Sequence, residues 1–188
     1  VGPAECDFQD ETALRTLVRR ERPDVIVNPA AYTAVDRAES EPTMAHAINA
    51  RAPEILAQEA HTLGALLIHF STDYVFDGTK TTAYTEDDVP NPQSVYGASK
   101  WAGEQAVQAH SARHLILRTA WVFSAHGQNF AQTMLRLGPE RDQLSFVADQ
   151  FGTPTPAELL AAVVAKVIAQ WDTARSSGAS NAAFPFGV

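Results

Sequence analysis

The chain has 188 residues, 45% of them hydrophobic and 19% charged, with a formal net charge of −8. That composition belongs to a soluble globular protein with one well-filled core, and an acidic balance without a stripe of Lys or Arg argues against nucleic acid and anionic membrane as partners. A single Cys6 excludes an internal disulfide, and no apolar run approaches a membrane span or a signal peptide, so the cytoplasm is the expected compartment; the chain opens on Val1 rather than Met and reads as a fragment.

Asp10 precedes Leu14, Leu17 and Val18 at helical spacing, which predicts a capped helix over about 11 to 21. The β-branched run from Asp24 to Asn28 predicts a strand buried on both faces. It ends in Pro29-Ala30-Ala31-Tyr32-Thr33, small residues of the kind that let a cofactor approach the backbone at the carboxyl end of a parallel strand. Residues 34 to 42 read as a polar connection broken by Pro42. A long helical pattern then runs from Thr43 to Leu63, with a kink expected at Pro53. Asn49 inside that helix has no propensity reason to be there.

Gly64 marks a helix end, and Ala65 to Phe70 predicts the next buried strand, which delivers Ser71, Thr72 and Asp73. His69 within this apolar run reads as a satisfied core histidine rather than a catalytic base. The connection from Tyr74 to Pro92 is long enough to suggest a functional loop over a ligand. A helix is expected over about 94 to 110, a strand over 115 to 119, a helix over 129 to 137, a strand over 144 to 147 and a last helix from Ala157 to Trp171 after Pro154-Thr155-Pro156. The tail from Asp172 carries no regular signal. Alternating strand and helix patterns argue for an α/β fold, a Rossmann-like parallel sheet flanked by helices. The expected division is an incomplete dinucleotide-binding Rossmann domain over 1–123 and a small, truncated substrate-binding portion over 124–188.

Chemistry concentrates at Tyr96-Gly97-Ala98-Ser99-Lys100. On a helix a Tyr and a Lys four residues apart share a face, and an ammonium beside a phenol favours the phenolate and lowers the Tyr pKa. Arg outnumbers Lys eleven to three, so a Lys here goes against the habit of the chain. Ser71 or Thr72, at the end of the preceding strand, is placed to share a substrate oxygen. This constellation resembles that of the short-chain dehydrogenases/reductases.

The segments PDVIVNPAAYTAVDRAESE, STDYVFDG, VYGASKWAGE, LILRTAWVF, NFAQTMLRL and DQFGTPTPAELL, taken in order, resemble the dTDP-4-dehydrorhamnose reductases, extended members of that family, from Asp7 to about Ala169. The resemblance implies NADPH- or NADH-dependent reduction of the 4-keto group of dTDP-4-dehydro-L-rhamnose. It implies Tyr96 as proton donor, Lys100 holding the nicotinamide ribose and depressing the Tyr pKa, and Thr72 in the place of the usual serine. Asp73 and Trp121 match positions that contact the sugar nucleotide, Asp7 and Phe8 positions near adenine, and Ala31, Tyr32 and Thr33 the loop over the cofactor. No Gly-x-Gly occurs in the sequence, so the phosphate-binding loop is expected to be missing and this chain to bind NADPH weakly or not at all, which would leave the fragment inactive by itself. Pro29 stands where a small Ala is commoner.

A regulatory subunit such as that of methionine adenosyltransferase, and a sugar-nucleotide epimerase or dehydratase, remain alternatives. Tyr74 directly after Asp73 disfavours a dehydratase, which usually carries an acidic pair there. The six His show no metal-ligand spacing. Whether Mg2+ takes part, and whether the chain forms a homodimer, stay open.

Overall fold

The computed structural model describes residues 5–176 and 184–188. The elements are α1 (Glu11–Glu21), β1 (Val25–Asn28), α2 (Val35–Ala38), α3 (Pro42–His46), a π-helical turn (Ala47–Arg51), α4 (Ala52–Leu63), β2 (Leu66–Thr72), a 3-10 turn (Asp73–Val75), α5 (Val95–His110), β3 (His114–Thr119), β4 (Val122–Phe123), α6 (Phe130–Leu137), β5 (Thr155–Pro156) and α7 (Ala157–Ser176). They group into two compact units, one reaching to Arg118 and including Phe184–Val188, the other running from Thr119.

The first unit is built on a three-stranded sheet in the order β1-β2-β3, with β1 and β2 parallel and Asn28 in register with His69. One face is covered by α1, α4 and α5 through a core of Leu14, Val18, Ile55, Leu56, Leu67, Val107 and Ile116. β1 is a sheet edge among the described residues, and Val27 is 40% exposed, so the strand is not buried on both faces as its apolar run suggests. Phe184–Val188 returns to this unit, Gly187 bridging Leu115 of β3.

α1 begins where the Asp10 carboxylate accepts from the Ala13 N–H and ends at Arg22, whose φ of 46° closes the helix in the left-handed region. α4 is fastened to it by Glu59. This carboxylate is 2% exposed and accepts from Arg15 Nη1 at 2.8 Å and from Arg19 Nε and Nη2 at 2.7 Å each. The Arg19 hydrogen bonds, chiefly, hold its pKa below the usual carboxylate value. A depressed folded pKa contributes stability that is present above about pH 4, the unfolded value, and is lost as pH falls through the folded one. Glu59→Gln is therefore expected to lower the unfolding free energy at neutral pH by about 1–2 kcal/mol, since the two arginines stay partly solvated. Urea midpoints of the two proteins should converge in acid; a gap unchanged between about pH 7 and about pH 3 would show that the charge is not its source.

The polar connection expected over 34 to 42 folds into α2 and the start of α3, with Pro42 at the first helical position, where its missing N–H costs nothing. The kink expected at Pro53 is a π turn just before it. Pro53 has no N–H to offer the Asn49 carbonyl, and the chain widens so that the Ala52 N–H bonds Ala47 O. Gly103 of α5 fills the gap: a Cβ there would lie 2.1 Å from Asn49 O.

In the loop after β2, Asp77 accepts from Thr79 N at 3.0 Å, Thr79 Oγ1 and Tyr84 OH at 2.8 Å and Asn91 Nδ2 at 3.1 Å, which holds its pKa well below the carboxylate range. Tyr84 stacks on Phe76 at 4.3 Å, and the Asn91 N–H closes the base on Val75 O at 2.8 Å. The loop is thus an ordered, self-contacting Ω-type segment.

In the second unit β4 and β5 pair in parallel, Val122 with Thr155 and Phe123 with Pro156. Residues 144–147, expected as a strand, have no regular structure; Phe146 is 54% and Val147 71% exposed, and an apolar run without a neighbouring ladder gains nothing from extending. α7 continues to Ser176, beyond the expected end at Trp171, and the rest of the tail up to residue 183 lies outside the described residues. None of the helices, among the described residues, is long and apolar enough to cross a membrane.

Candidate active site

β2 and α5 meet at the carboxyl end of the sheet, and their facing ends carry the predicted residues. α5 is started by Ser94, whose hydroxyl accepts from the Gly97 N–H at 3.1 Å. The Val95 N–H, otherwise an orphan of the first turn, donates to Glu39 Oε1 at 2.8 Å, a negative charge at the positive end of the helix. Gly97 lets the helix start lie on the 3-10 turn, since a Cβ there would meet Tyr74 O at 2.2 Å. Tyr96 is thereby pressed against that turn, its ring edge-on to Tyr74 with centroids 5.5 Å apart.

Thr72 is 5% exposed, and its hydroxyl lies close enough to the Tyr96 phenol to oppose the rise in its pKa. The same oxygen lies 3.1 Å from Asp73 Oδ1 and caps the turn by accepting from the Tyr74 N–H at 3.2 Å. Burial, chiefly, pushes both the Asp73 carboxyl and the Tyr96 phenol above their ordinary values, and the Asp73 charge adds to the shift at Tyr96. The expected lowering of the Tyr pKa by Lys100 is therefore corrected. The Lys100 amine donates to Phe70 O at 2.6 Å, and desolvation, which penalises the charged phenolate, sets the direction of the shift at Tyr96.

Lys100 is 2% exposed, and burial pulls its pKa from 10.5 to about 8 against the opposing charge of Glu104. Beside it lies a polar layer between sheet and helix. Glu104 is fully buried and takes Arg118 as a fork, Nε at 3.0 Å and Nη2 at 2.7 Å, while the guanidinium sits 5.0 Å over Phe76. His69 is buried, with Nδ1 at 3.1 Å from the Asn28 amide, so the ring proton is assigned to Nε2, which has no partner among the described residues. Desolvation and then Lys100 keep this imidazole neutral. It is a core histidine, satisfied at one nitrogen only.

Asn49 ties the helix to the loop after β1. Its Oδ1 accepts from the Tyr32 N–H at 2.7 Å, and its Nδ2 donates to Tyr32 O and to Ser99 Oγ at 3.0 Å each. Ser99 Oγ in turn donates to Tyr96 O at 2.7 Å. The Tyr32 ring packs with Ala38, Ala45, Ile48, Val95 and Tyr96, and its hydroxyl donates to Glu41. Tyr32 thus spends its backbone and its phenol on holding the loop against Tyr96. Ala31 is half-buried and Thr33 exposed beside it.

Asp7 and Phe8 form the turn before α1, Asp7 accepting from the Gln9 N–H at 2.9 Å and Phe8 packing on the α1–α4 core. Trp121 belongs to the second unit, 48% exposed, at the start of β4. The structure therefore gathers Thr72, Asp73 and Tyr96 at one strand end and sets Lys100 one helical turn on. Sequence reasoning missed Glu39, Ser99, Glu104 and Arg118, which act through residues distant in the chain. For Asn49 a signal existed in Pro53 four residues later, which leaves its carbonyl without a helical donor. Among the described residues no group of three metal-ligating side chains gathers.

A family model described as "RmlD substrate binding domain" matches residues 1–181. The chain is 52% identical over 162 residues to a dTDP-4-dehydrorhamnose reductase of Escherichia coli (strain K12), covering 86% of this chain and 54% of that protein. With that of Burkholderia thailandensis it shares 47% identity over 175 residues, 93% of this chain and 59% of the relative. Among solved structures, the dTDP-4-dehydrorhamnose reductase of Bacillus anthracis in complex with NADP superposes with a TM-score of 0.86 at 40% identity, over 89% of this chain and 60% of the other. The chain thus spans little more than half the length of these relatives.

Proposed function

The chain belongs to the RmlD substrate binding domain family, and on that premise we propose that it carries the proton-transfer half of a reductase acting on the 4-keto group of dTDP-4-dehydro-L-rhamnose. The observation that supports this most directly is the Thr72 hydroxyl beside the Tyr96 phenol at the end of a parallel strand, with the buried Lys100 amine one turn along α5 and anchored on Phe70 O. A phenol whose pKa burial raises above its ordinary value keeps its proton at neutral pH, and a carbonyl oxygen accepting from both hydroxyls gains that proton as negative charge develops on it. Asp73, at the rim of the same cluster, is the group we assign to a sugar hydroxyl, and Trp121 the flat apolar surface for the sugar nucleotide.

A nicotinamide cofactor supplies the hydride when bound; the Bacillus anthracis relative was crystallised with NADP. The residues present fit its ribose end. Lys100 uses one donor on Phe70 O, and an ammonium has three, so two remain for ribose hydroxyls. The start of α1 does not fit a pyrophosphate, because Asp10 and Glu11 occupy it with negative charge. We assign no residue there to phosphate. Asp7, Phe8 and the Ala31 to Thr33 loop remain the proposed boundary of the adenosine and nicotinamide sites.

Incubation of the protein with NADPH and dTDP-4-dehydro-L-rhamnose, followed by mass analysis of the sugar nucleotide, tests the assignment. Reduction adds two hydrogens. An unchanged mass with altered stereochemistry would make the protein an epimerase, and an unchanged sugar nucleotide, at an NADPH concentration that calorimetric titration shows to saturate the protein, would favour a non-catalytic binding subunit.

A further inference from the structure

Trp121 stands in a backbone conformation that aromatic residues rarely adopt, and the geometry around it is built rather than incidental. Its φ is 46°, in the left-handed region, where a side chain with Cβ is strained. The strain is held from the far side of the unit's sequence: the Thr155 N–H donates to Trp121 O at 3.2 Å, and Val122 and Phe123 pair with Thr155 and Pro156. Three residues before Thr155, in Asp149-Gln150-Phe151-Gly152-Thr153-Pro154, lies the second half of the arrangement. A Cβ built on Gly152 would fall 2.6 Å from Trp121 Cε2, 2.9 Å from Nε1 and 3.0 Å from Cδ2. The bare Cα of Gly152 is thus seated on the indole, at the junction of its two rings, and no other residue type fits there without moving the ring.

We infer that Gly152 is a positioning residue for Trp121. Its backbone covers part of the indole and fixes its tilt, so that what stays exposed is a single, defined apolar surface offered to the sugar of the bound sugar nucleotide. This rests on the assignment of Trp121 to the sugar nucleotide made above. The sequence logic is the same as at Gly97 and Gly103, where a missing Cβ lets two elements touch, but here the touching partner is a half-exposed ring instead of a buried carbonyl. A strained aromatic residue that is left 48% exposed gains little from its own burial; the conformation is explained by what the ring has to face. Gly152 therefore acts on selectivity for the sugar, and a Cβ at this position changes how the sugar is seated without touching the nucleotide.

The test uses 5-fluorotryptophan labelling and 19F NMR. The chain has three Trp, and the Trp121 line is assigned by its disappearance in Trp121→Leu. In Gly152→Ala the Trp121 line is expected to shift while the Trp101 and Trp171 lines stay in place, which also reports an intact fold. In the unsubstituted protein the Gly152 α-protons should show a ring-current displacement that is lost in Trp121→Leu, a readout that does not depend on how the Ala variant folds. Affinities for dTDP-L-rhamnose and dTDP are then compared. Gly152→Ala and Trp121→Leu should each weaken dTDP-L-rhamnose by about tenfold and leave dTDP unchanged. An unmoved Trp121 line, or an unshifted Gly152 α-proton pair, overturns the inference. So does a loss of sugar affinity in Trp121→Leu that Gly152→Ala does not share. If the ring moves in Gly152→Ala and neither variant changes sugar binding, it is the assignment of Trp121 to the sugar that falls.

Discussion

Tyr96→Phe should lower ketosugar reduction by about 10²–10⁴-fold, the range expected when a positioned general acid is removed. The phenol is the proton-bearing group of the cluster: Thr72 is a far weaker acid, and Asp73 is an acceptor unless burial leaves it protonated. Phe preserves what the ring does structurally, the edge-on contact with Tyr74 and the packing against Tyr32 and Val95. The loss should therefore fall in kcat, with a smaller change in KM for the ketosugar and an unchanged melting midpoint. Thr72→Val provides the contrast, since it leaves the phenol proton in place, removes the second hydroxyl at the substrate carbonyl together with the cap on the Tyr74 N–H, and should cost about tenfold. Steady-state rates on the two variants decide it. If Tyr96→Phe retained more than a third of the rate, the proton would have to come from elsewhere.

Much of this cluster could be read from the sequence because its parts are local. Ser94 before an apolar-periodic stretch places the start of α5, and the helical period then sets Tyr96 and Lys100 on one face. The strand ending in Ser71-Thr72-Asp73 is continuous in sequence, so its delivery of Thr72 is equally legible. The direction of the pKa shift was not. It depends on how deeply α5 beds onto β2, and that depth is set by Gly97 and Gly103 meeting Tyr74 O and Asn49 O, contacts between segments that are remote along the chain. Apolar patterning also overreached at 144–147, where a strand needs a paired neighbour that local sequence does not reveal, and fell short at α7, whose last turns are polar and carry no apolar stripe.

Glu104→Ala should be the most destabilising single change in the first unit, by about 3–5 kcal/mol, because it breaks a buried pair and leaves one charge behind. Arg118, whose side chain is 12% exposed beside Glu104, would be left with Nη1 already without a partner among the described residues and with two aromatic rings, Phe76 and Trp101, against its guanidinium. Replacing both members by Met should recover most of that loss, since a well-packed apolar pair avoids the desolvation cost. Urea unfolding of the single and double variants makes the comparison. The carboxylate has a second effect that packing cannot restore. Glu104 is the charge that opposes burial at Lys100, so without it the amine loses its proton at a lower pH than about 8. The ammonium is present below that pKa and disappears as pH rises through it. The alkaline limb of the pH–rate profile should accordingly move to lower pH in Glu104→Gln, which keeps the size of the side chain and removes its charge, at the cost of one of the two acceptors facing Arg118. An alkaline limb that stays in place would separate Lys100 from the step that limits the rate.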